Sequence, residues 1–241
     1  MENPNIATTA ESPSSLGSAL KGSNLFFCDL ADTDWERWRY RLQLIHLKAG
    51  DILVREGLKQ TYVYFPVSCI IAVSLRQESG DRIDIAHIGR DSALGLISQT
   101  HRPQESARIL CAGSAYRVPK EWITAETETS GAFRKLIFEF INHQLQKGLV
   151  SLYCSRHHTI EQQVCTFILS MFDLIAGETI YLTQEKIAST LGVRRESVNS
   201  IAKSLKNNKV IQYSRGLLRI NNRPLLASLA CTCHTKAYNL S

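Results

Sequence analysis

The chain has 241 residues, 44% hydrophobic and 21% charged, with a formal net charge of +6. That length accommodates two small domains, each with a core, and the composition is globular rather than fibrous or disordered. No apolar run is long enough to span a membrane, and seven scattered cysteines point to the reducing cytoplasm rather than a disulfide framework.

Residues 1–24 have neither a basic start nor an apolar stretch. They are expected to be a flexible tail rich in Ser, Ala, Asn and Pro, without a secretory signal. A short helix is expected from Leu25 to about Tyr40, with Leu30, Trp35 and Trp38 available for packing. Short apolar strands follow at Gln43–Lys48, Ile52–Arg55, Tyr62–Pro66, Ser68–Leu75, Ile83–Ile88, Ile109–Cys111 and Ala115–Val118, with turns at Ala49-Gly50 and Glu78–Asp81. Strands this short and regular, with Gly at the turns, predict an antiparallel roll.

A long helix is expected from Gly131 to Arg156. Phe138, Ile141, Leu145, Leu149 and Leu152 recur at steps of three and four and form a stripe suited to another helix. Phe133, Leu136, Ile137 and Phe140 widen it at its start. Two readings stand: a dimer seam, or a stripe that packs on its own roll. A further helix is expected from Thr159 to about Ala176. The implied organisation is a tail (1–24), a β-roll (25–130), a long helix (131–157) and a C-terminal domain (158–241).

Charge separates the two ends of the chain. Residues Tyr181–Ser241 hold 10 Lys and Arg against 2 Asp and Glu, a net +8, whereas the preceding residues hold 18 against 20, a net −2. The basic part reads as two short helices about a turn at Gly192, then a strand-turn-strand: a winged helix-turn-helix. Thr183 caps the first helix, Ile187 and Leu191 face inward, Ala188 permits a close crossing, and Val193 fills the angle.

The second helix, from about Arg194 to Lys206, places Val198, Ile201 and Leu205 on one side. Opposite lie Glu196 and Lys203, flanked by Asn199 and Ser200, with Arg195 and Lys206 at the edge. Arg matches the two acceptors of guanine, Glu accepts from the cytosine amino group and Asn pairs with adenine. Lys203 and Lys206 are assigned to phosphate, which positions without specifying. The candidate DNA-binding set is Thr183, Gln184, Arg194, Arg195, Glu196, Ser197, Asn199, Ser200, Lys203, Lys206 and Arg215, the last at the tip of a wing spanning Lys209–Ile220.

The segment LTQEKIASTLGVRRESVNSIAKSL resembles the helix-turn-helix of the CRP/FNR family of bacterial transcription regulators, whose pattern runs LTqeeIAxxLGvsRETVsRxLxxL. Upstream, LKAGDILVREG, TYVYFPVSCIIAVSL and GDRIDIAHIGRDSALGL are similar to that family's effector-domain β-roll, so the resemblance extends from about Leu25 to the C-terminus. It implies an α+β fold: a cyclic-nucleotide-binding-like antiparallel β-roll, a long dimerisation helix and a C-terminal winged helix-turn-helix. It also implies a homodimer reading a two-fold symmetric site on double-stranded DNA and contacting RNA polymerase. Arg195 and Glu196 stand at the family's base-reading positions and Thr183 at a usual phosphate contact. Ser200 departs, because many relatives carry a second base-contacting Arg there.

The effector region departs further. Cyclic-nucleotide binders of the family hold phosphate with a Gly-Glu pair and an Arg before Ser-Ala. Here the stretch reads DSALG, and Glu105 occupies the Arg position in Glu105-Ser106-Ala107, so cyclic AMP is not the expected effector. The nearest pocket candidates are Gly89, Arg90, Asp91, Ser92, Gly95, Glu105, Ser106 and Arg108. A regulator gated by a nucleotide through a rearranged pocket is the alternative, and an enzyme a distant third. The chain has no phosphate loop, HExxH or GxSxG. Only Cys28 lies where FNR-like proteins gather cluster cysteines. Cys231, Cys233 and His234 form the one suggestive soft-ligand group, but their one-residue gap is not zinc-like spacing. No cofactor and no metal site are expected.

Overall fold

The computed structural model describes residues 21–76, 78, 80, 82–96, 105–175 and 177–238. Most of the expected tail, parts of the Glu78–Asp81 turn and the helix end at Ala176 lie outside the described residues. The chain forms two compact units that divide between Ile141 and Asn142.

In the first unit, the described residues open with a 3₁₀ turn at Lys21–Ser23, ahead of Leu25, and a second at Leu25–Asp29. Asn24 fixes the second turn. Its buried side chain accepts from the Phe26 amide at 3.0 Å and donates to the carbonyls of Pro66 (2.8 Å) and Ser92 (2.9 Å). The single helix expected over Leu25–Tyr40 is therefore a 3₁₀ turn followed by α1 (Asp32–Arg39). Asp32 and Asp34 lie in the first turn of α1 and Arg37 and Arg39 in its last, the charge order a helix dipole favours.

Seven strands follow: β1 (Gln43–Leu47), β2 (Ile52–Val54), β3 (Tyr62–Pro66), β4 (Ile70–Arg76), β5 (Arg82–Ile88), β6 (Glu105–Cys111) and β7 (Gly113–Pro119). They form two antiparallel sheets, β1-β7-β3 and β2-β6-β4-β5. Alternation along the strands turns Ile45, Leu47 and Ala115 of one sheet and Ile71, Val73, Ala107 and Ile109 of the other into a common core. A second, aromatic core gathers Phe26, Phe27, Trp38, Phe65 and Tyr116.

The helix α2 (Lys120–Thr129) was not expected from the sequence. Its apolar periodicity is short, and one inward position is filled by the buried Glu126, which pairs with Arg37. The long α3 (Gly131–His157) follows expectation in extent. Its beginning differs in role. Phe133, Leu136 and Phe140 are buried in the aromatic core, with Ile137 packed against it, so they do not widen an exposed seam. Further along, Phe138, Leu145, Leu149 and Leu152 remain 64%, 58%, 51% and 50% exposed, with Ile141 intermediate.

The second unit contains the rest of α3, then α4 (Ile160–Asp173), β8 (Thr179–Tyr181), α5 (Gln184–Leu191), α6 (Arg195–Asn207), β9 (Ile211–Ser214), β10 (Leu217–Ile220), α7 (Arg223–Leu229) and α8 (Cys233–Tyr238). Thr159 and Gln162 form a reciprocal capping box at the start of α4. Val164, Ile168, Leu169 and Phe172 of α4 are buried, as are Ile187 and Ala188 of α5 and Val198, Ala202 and Leu205 of α6. β8, β10 and β9 form a small antiparallel sheet in that order. The wing thus has a third strand, which Thr179–Tyr181 is too short to announce in sequence.

Candidate nucleic-acid interface

Local chemistry sets the angle between α5 and α6. The Thr183 hydroxyl oxygen accepts from the Lys186 amide at 3.2 Å and caps α5. Gly192 ends the helix in the left-handed region at φ 66°, where a β-carbon would be strained. The Val193 amide then donates to the Ala188 carbonyl at 3.0 Å. Ala188 of α5 is itself buried.

α6 has two unlike faces. Val198, Ala202 and Leu205 are buried, and Ile201 is intermediate. Arg194, Arg195, Glu196, Asn199, Ser200, Lys203 and Lys206 are all exposed, while Ser197 is half-buried. The inner stripe therefore gains Ala202, a position the aliphatic count alone passes over. Arg194 occupies the N-cap with no side-chain cap bond, and its carbonyl accepts from the Ser197 amide at 3.1 Å.

The wing is a two-residue hairpin in which Ser214 faces Leu217 across Arg215-Gly216. Both turn residues have positive φ, 50° at Arg215 and 83° at Gly216, the backbone of a type I′ turn. Gly216 also lies under Tyr181: an added β-carbon would come within 2.8 Å of its ring. Two bonds brace the wing against the start of α5, Leu182 N to Gly216 O at 2.7 Å and Tyr213 Oη to Leu182 O at 2.7 Å. Burial pushes the Tyr213 phenol above its usual pKa, so it stays a donor there. Tyr213 had no sequence signal, since a bracing hydroxyl looks like any strand aromatic. Thr183 and Gln184 are half-buried and Arg215 is exposed.

The expected effector residues are less convergent. Within Gly89–Ser92, Gly89, Asp91 and Ser92 are buried; the Arg90 carbonyl accepts from Leu25 N at 2.7 Å and the Ser92 carbonyl accepts from Asn24. Gly95 sits against the Gln60 side chain at φ 86°. On β6, Glu105 alternates with Ser106 and Arg108, which point to the opposite face. Ser106 accepts from Arg82, and the Arg108 guanidinium lies 3.4 Å from the buried Asp84, which also accepts from Ser74 Oγ at 2.7 Å. Arg108 is thus engaged by a carboxylate.

A cluster outside both regions joins residues far apart in sequence. Cys154 of α3 meets Cys231 and Cys233, and all three sulfurs lie within 4.8 Å of one another. Cys154 Sγ and Cys231 Sγ are 3.4 Å apart, and Thr166 Oγ1 is 3.0 Å from Cys231 Sγ. Burial raises the Cys154 and Cys233 thiols. At Cys231 burial acts in the same direction but is outweighed by hydrogen bonds from Thr166 and the neighbouring thiols, leaving it lowered. His234, expected beside the cysteines, instead meets Asp173 at 2.6 Å.

Comparison with known proteins places this geometry. A family model of the Crp-like helix-turn-helix domain matches residues 162–229. The fold is similar to FixK2 from Bradyrhizobium japonicum, with TM-score 0.67 and 16% identity over 79% of this chain and 98% of that one. It is also similar to a regulatory protein of Silicibacter pomeroyi DSS-3, described as a candidate cAMP-binding protein, with TM-score 0.67 and 17% identity over 88% and 97%. A protein from Eubacterium rectale described as a candidate transcriptional regulator of the CRP/FNR family gives TM-score 0.62 and 16% identity over 86% and 98%. No curated protein matches the chain by sequence. The chain therefore shares the fold of these proteins, a β-roll with a winged helix-turn-helix, and its residues 162–229 match the Crp-like helix-turn-helix domain.

Proposed function

We propose that the protein is a sequence-specific, homodimeric transcription regulator that inserts α6 into the DNA major groove. The observation that carries this is α6 itself: an exposed Arg195, Glu196 and Asn199 on a helix whose opposite face is buried. Arg195 and Glu196 read base edges, and Asn199 and Ser200 extend the readout. Arg194, Lys203 and Lys206 hold phosphate, joined by Arg215 at the wing tip and Gln184 at the start of α5. Thr183 accepts the capping amide through oxygen and keeps its proton to donate to phosphate. Half-buried Ser197 contributes through its position in the first turn.

The exposed Phe138, Leu145, Leu149 and Leu152, with Ile141, form the dimer seam, because steps of three and four repeat along a face that solvent otherwise covers. A dimer implies a two-fold symmetric operator. Within that scheme residues 25–130 are the effector-like domain, 131–157 the dimerisation helix and 158–241 the DNA-binding domain, and RNA polymerase is the onward partner. Free thiols support action in the reducing cytoplasm; no described helix is long and apolar enough to cross a membrane.

Cyclic AMP is not the proposed effector. Glu105 takes the place of the family's Arg, and Arg108 is engaged by Asp84. The second reading, gating by another nucleotide through a rearranged pocket, draws on the description of the Silicibacter relative. Binding to random-sequence duplex across a salt series tests the DNA reading. The expected result is a linear fall of log affinity with log salt, about 0.9 per phosphate contacted. Salt-independent or undetectable binding contradicts it.

A further inference from the structure

We propose that Cys154, Cys231 and Cys233 form a binding site for one soft divalent metal ion of the zinc and cadmium class. The inference is independent of the DNA-binding reading.

The first argument is composition. The three cysteines make up a buried cluster of their own, 8%, 6% and 2% exposed, and among the described residues Val150 is the partly buried hydrophobic packed against them. Cysteine used as a small core residue sits among aliphatic and aromatic neighbours. Here sulfur faces sulfur. By contrast, Cys69 lies in the core of the β-roll among Ile45, Ile71 and Ile109, where a packing role accounts for it.

The second argument is geometry. Thiolates bind zinc at about 2.3 Å, which separates sulfurs in a tetrahedral set by roughly 3.8 Å. The three Sγ atoms are already within 4.8 Å of one another, with Cys154 and Cys231 at 3.4 Å. Loading asks for side-chain adjustments below about 1 Å rather than a rearranged backbone.

Thr166 supplies support behind the ligands. Its oxygen accepts from the Cys231 amide at 3.1 Å and lies 3.0 Å from Cys231 Sγ. That arrangement aims the hydroxyl proton at the sulfur and favours the thiolate, as outer partners of metal ligands do. Ion charge decides the class of metal. Three thiolates with a divalent cation leave a net −1, and Lys236 follows Cys233 by three residues on α8. Soft sulfur donors exclude magnesium and calcium, which take oxygen. Each bound ion displaces one proton from every ligand thiol still protonated, so no oxidant or reductant is needed.

The test uses the reduced full-length chain under anaerobic conditions, dialysed against cadmium(II) and, separately, zinc(II). The expected result is one ion per chain, with thiolate-to-metal charge-transfer absorption for cadmium. Cys154→Ser, Cys231→Ser and Cys233→Ser should each weaken binding at least tenfold, while Cys69→Ser and Cys165→Ser leave it unchanged. On the wild-type chain, where variant folding plays no part, cadmium should protect these three thiols and not Cys28 from slow alkylation, read by peptide mass. Absence of thiolate absorption from the folded, reduced chain overturns the site. So does equal binding by the triple serine variant, or recovery of a Cys154–Cys231 disulfide that, once reduced, takes up no ion.

Discussion

The helix-turn-helix and the effector region of the β-roll are built with different fidelity to the family they resemble. In the first, each position that sets the geometry holds the residue the geometry needs: Thr183 at the cap, Ala188 at the crossing, Gly192 in the left-handed turn. In the second, the strands of the roll are retained, but the sequence resemblance expects Glu105 in place of a phosphate-binding Arg, and Arg108 lies 3.4 Å from Asp84. A scaffold is held by burial, which accepts many side chains of suitable size. A ligand pocket is held by a few charged groups, and one reversed charge removes its ligand. On the proposed reading, DNA binding and effector binding are separable within one fold.

The largest expected effect concerns the seam. Leu145→Glu with Leu149→Glu should convert the dimer to a monomer by light scattering. It should also lower affinity for a symmetric site on the order of 10²–10⁴-fold, the usual gain from linked binding. An unchanged mass would move the interface elsewhere. Next is the scaffold of the reading head. Leu205→Ala truncates a side chain that is 1% exposed and should destabilise the second unit by about 2–5 kcal/mol in denaturant unfolding. A loss confined to the first unit would contradict the division of cores.

Arg195→Ala should cost about 1–3 kcal/mol on the preferred duplex and relax specificity at one position in each half-site, read by competition binding. Equal losses on all duplexes would reassign Arg195 to phosphate. At the wing, Arg215→Gly removes a side chain from positive φ and a cation from the tip. Folding stability should rise by up to about 1 kcal/mol, while the salt dependence of DNA binding falls by about one phosphate contact. A stability gain with an unchanged salt slope would take Arg215 out of the interface. The smallest expected effect is none: cyclic AMP should leave the melting temperature unchanged, because a ligand raises stability only by binding the native state. A dose-dependent rise would restore the nucleotide-gated reading.

Legibility followed the range of the interactions. The seven strands of the roll were readable because alternation and turn glycines are local, and α6 because its apolar stripe repeats within one helix. The 3₁₀ turn at Leu25–Asp29 was not, since it depends on Asn24 reaching Pro66 and Ser92 across 42 and 68 residues. Helix α2 hid behind the buried Glu126, a charge that contradicts its periodicity until Arg37 arrives from α1. Phe133, Leu136 and Phe140 looked like more seam because a stripe does not say what covers it. The cysteine group was half visible: Cys231 and Cys233 are neighbours in sequence, but Cys154 joins them from 77 residues away.

Whether paired α6 helices read a symmetric site is tested by selecting bound fragments from random duplex with the ligand-free protein. A two-fold symmetric motif with half-sites about one helical turn apart is the expected product. Recovery of no motif, or of a single unrepeated half-site, would contradict it.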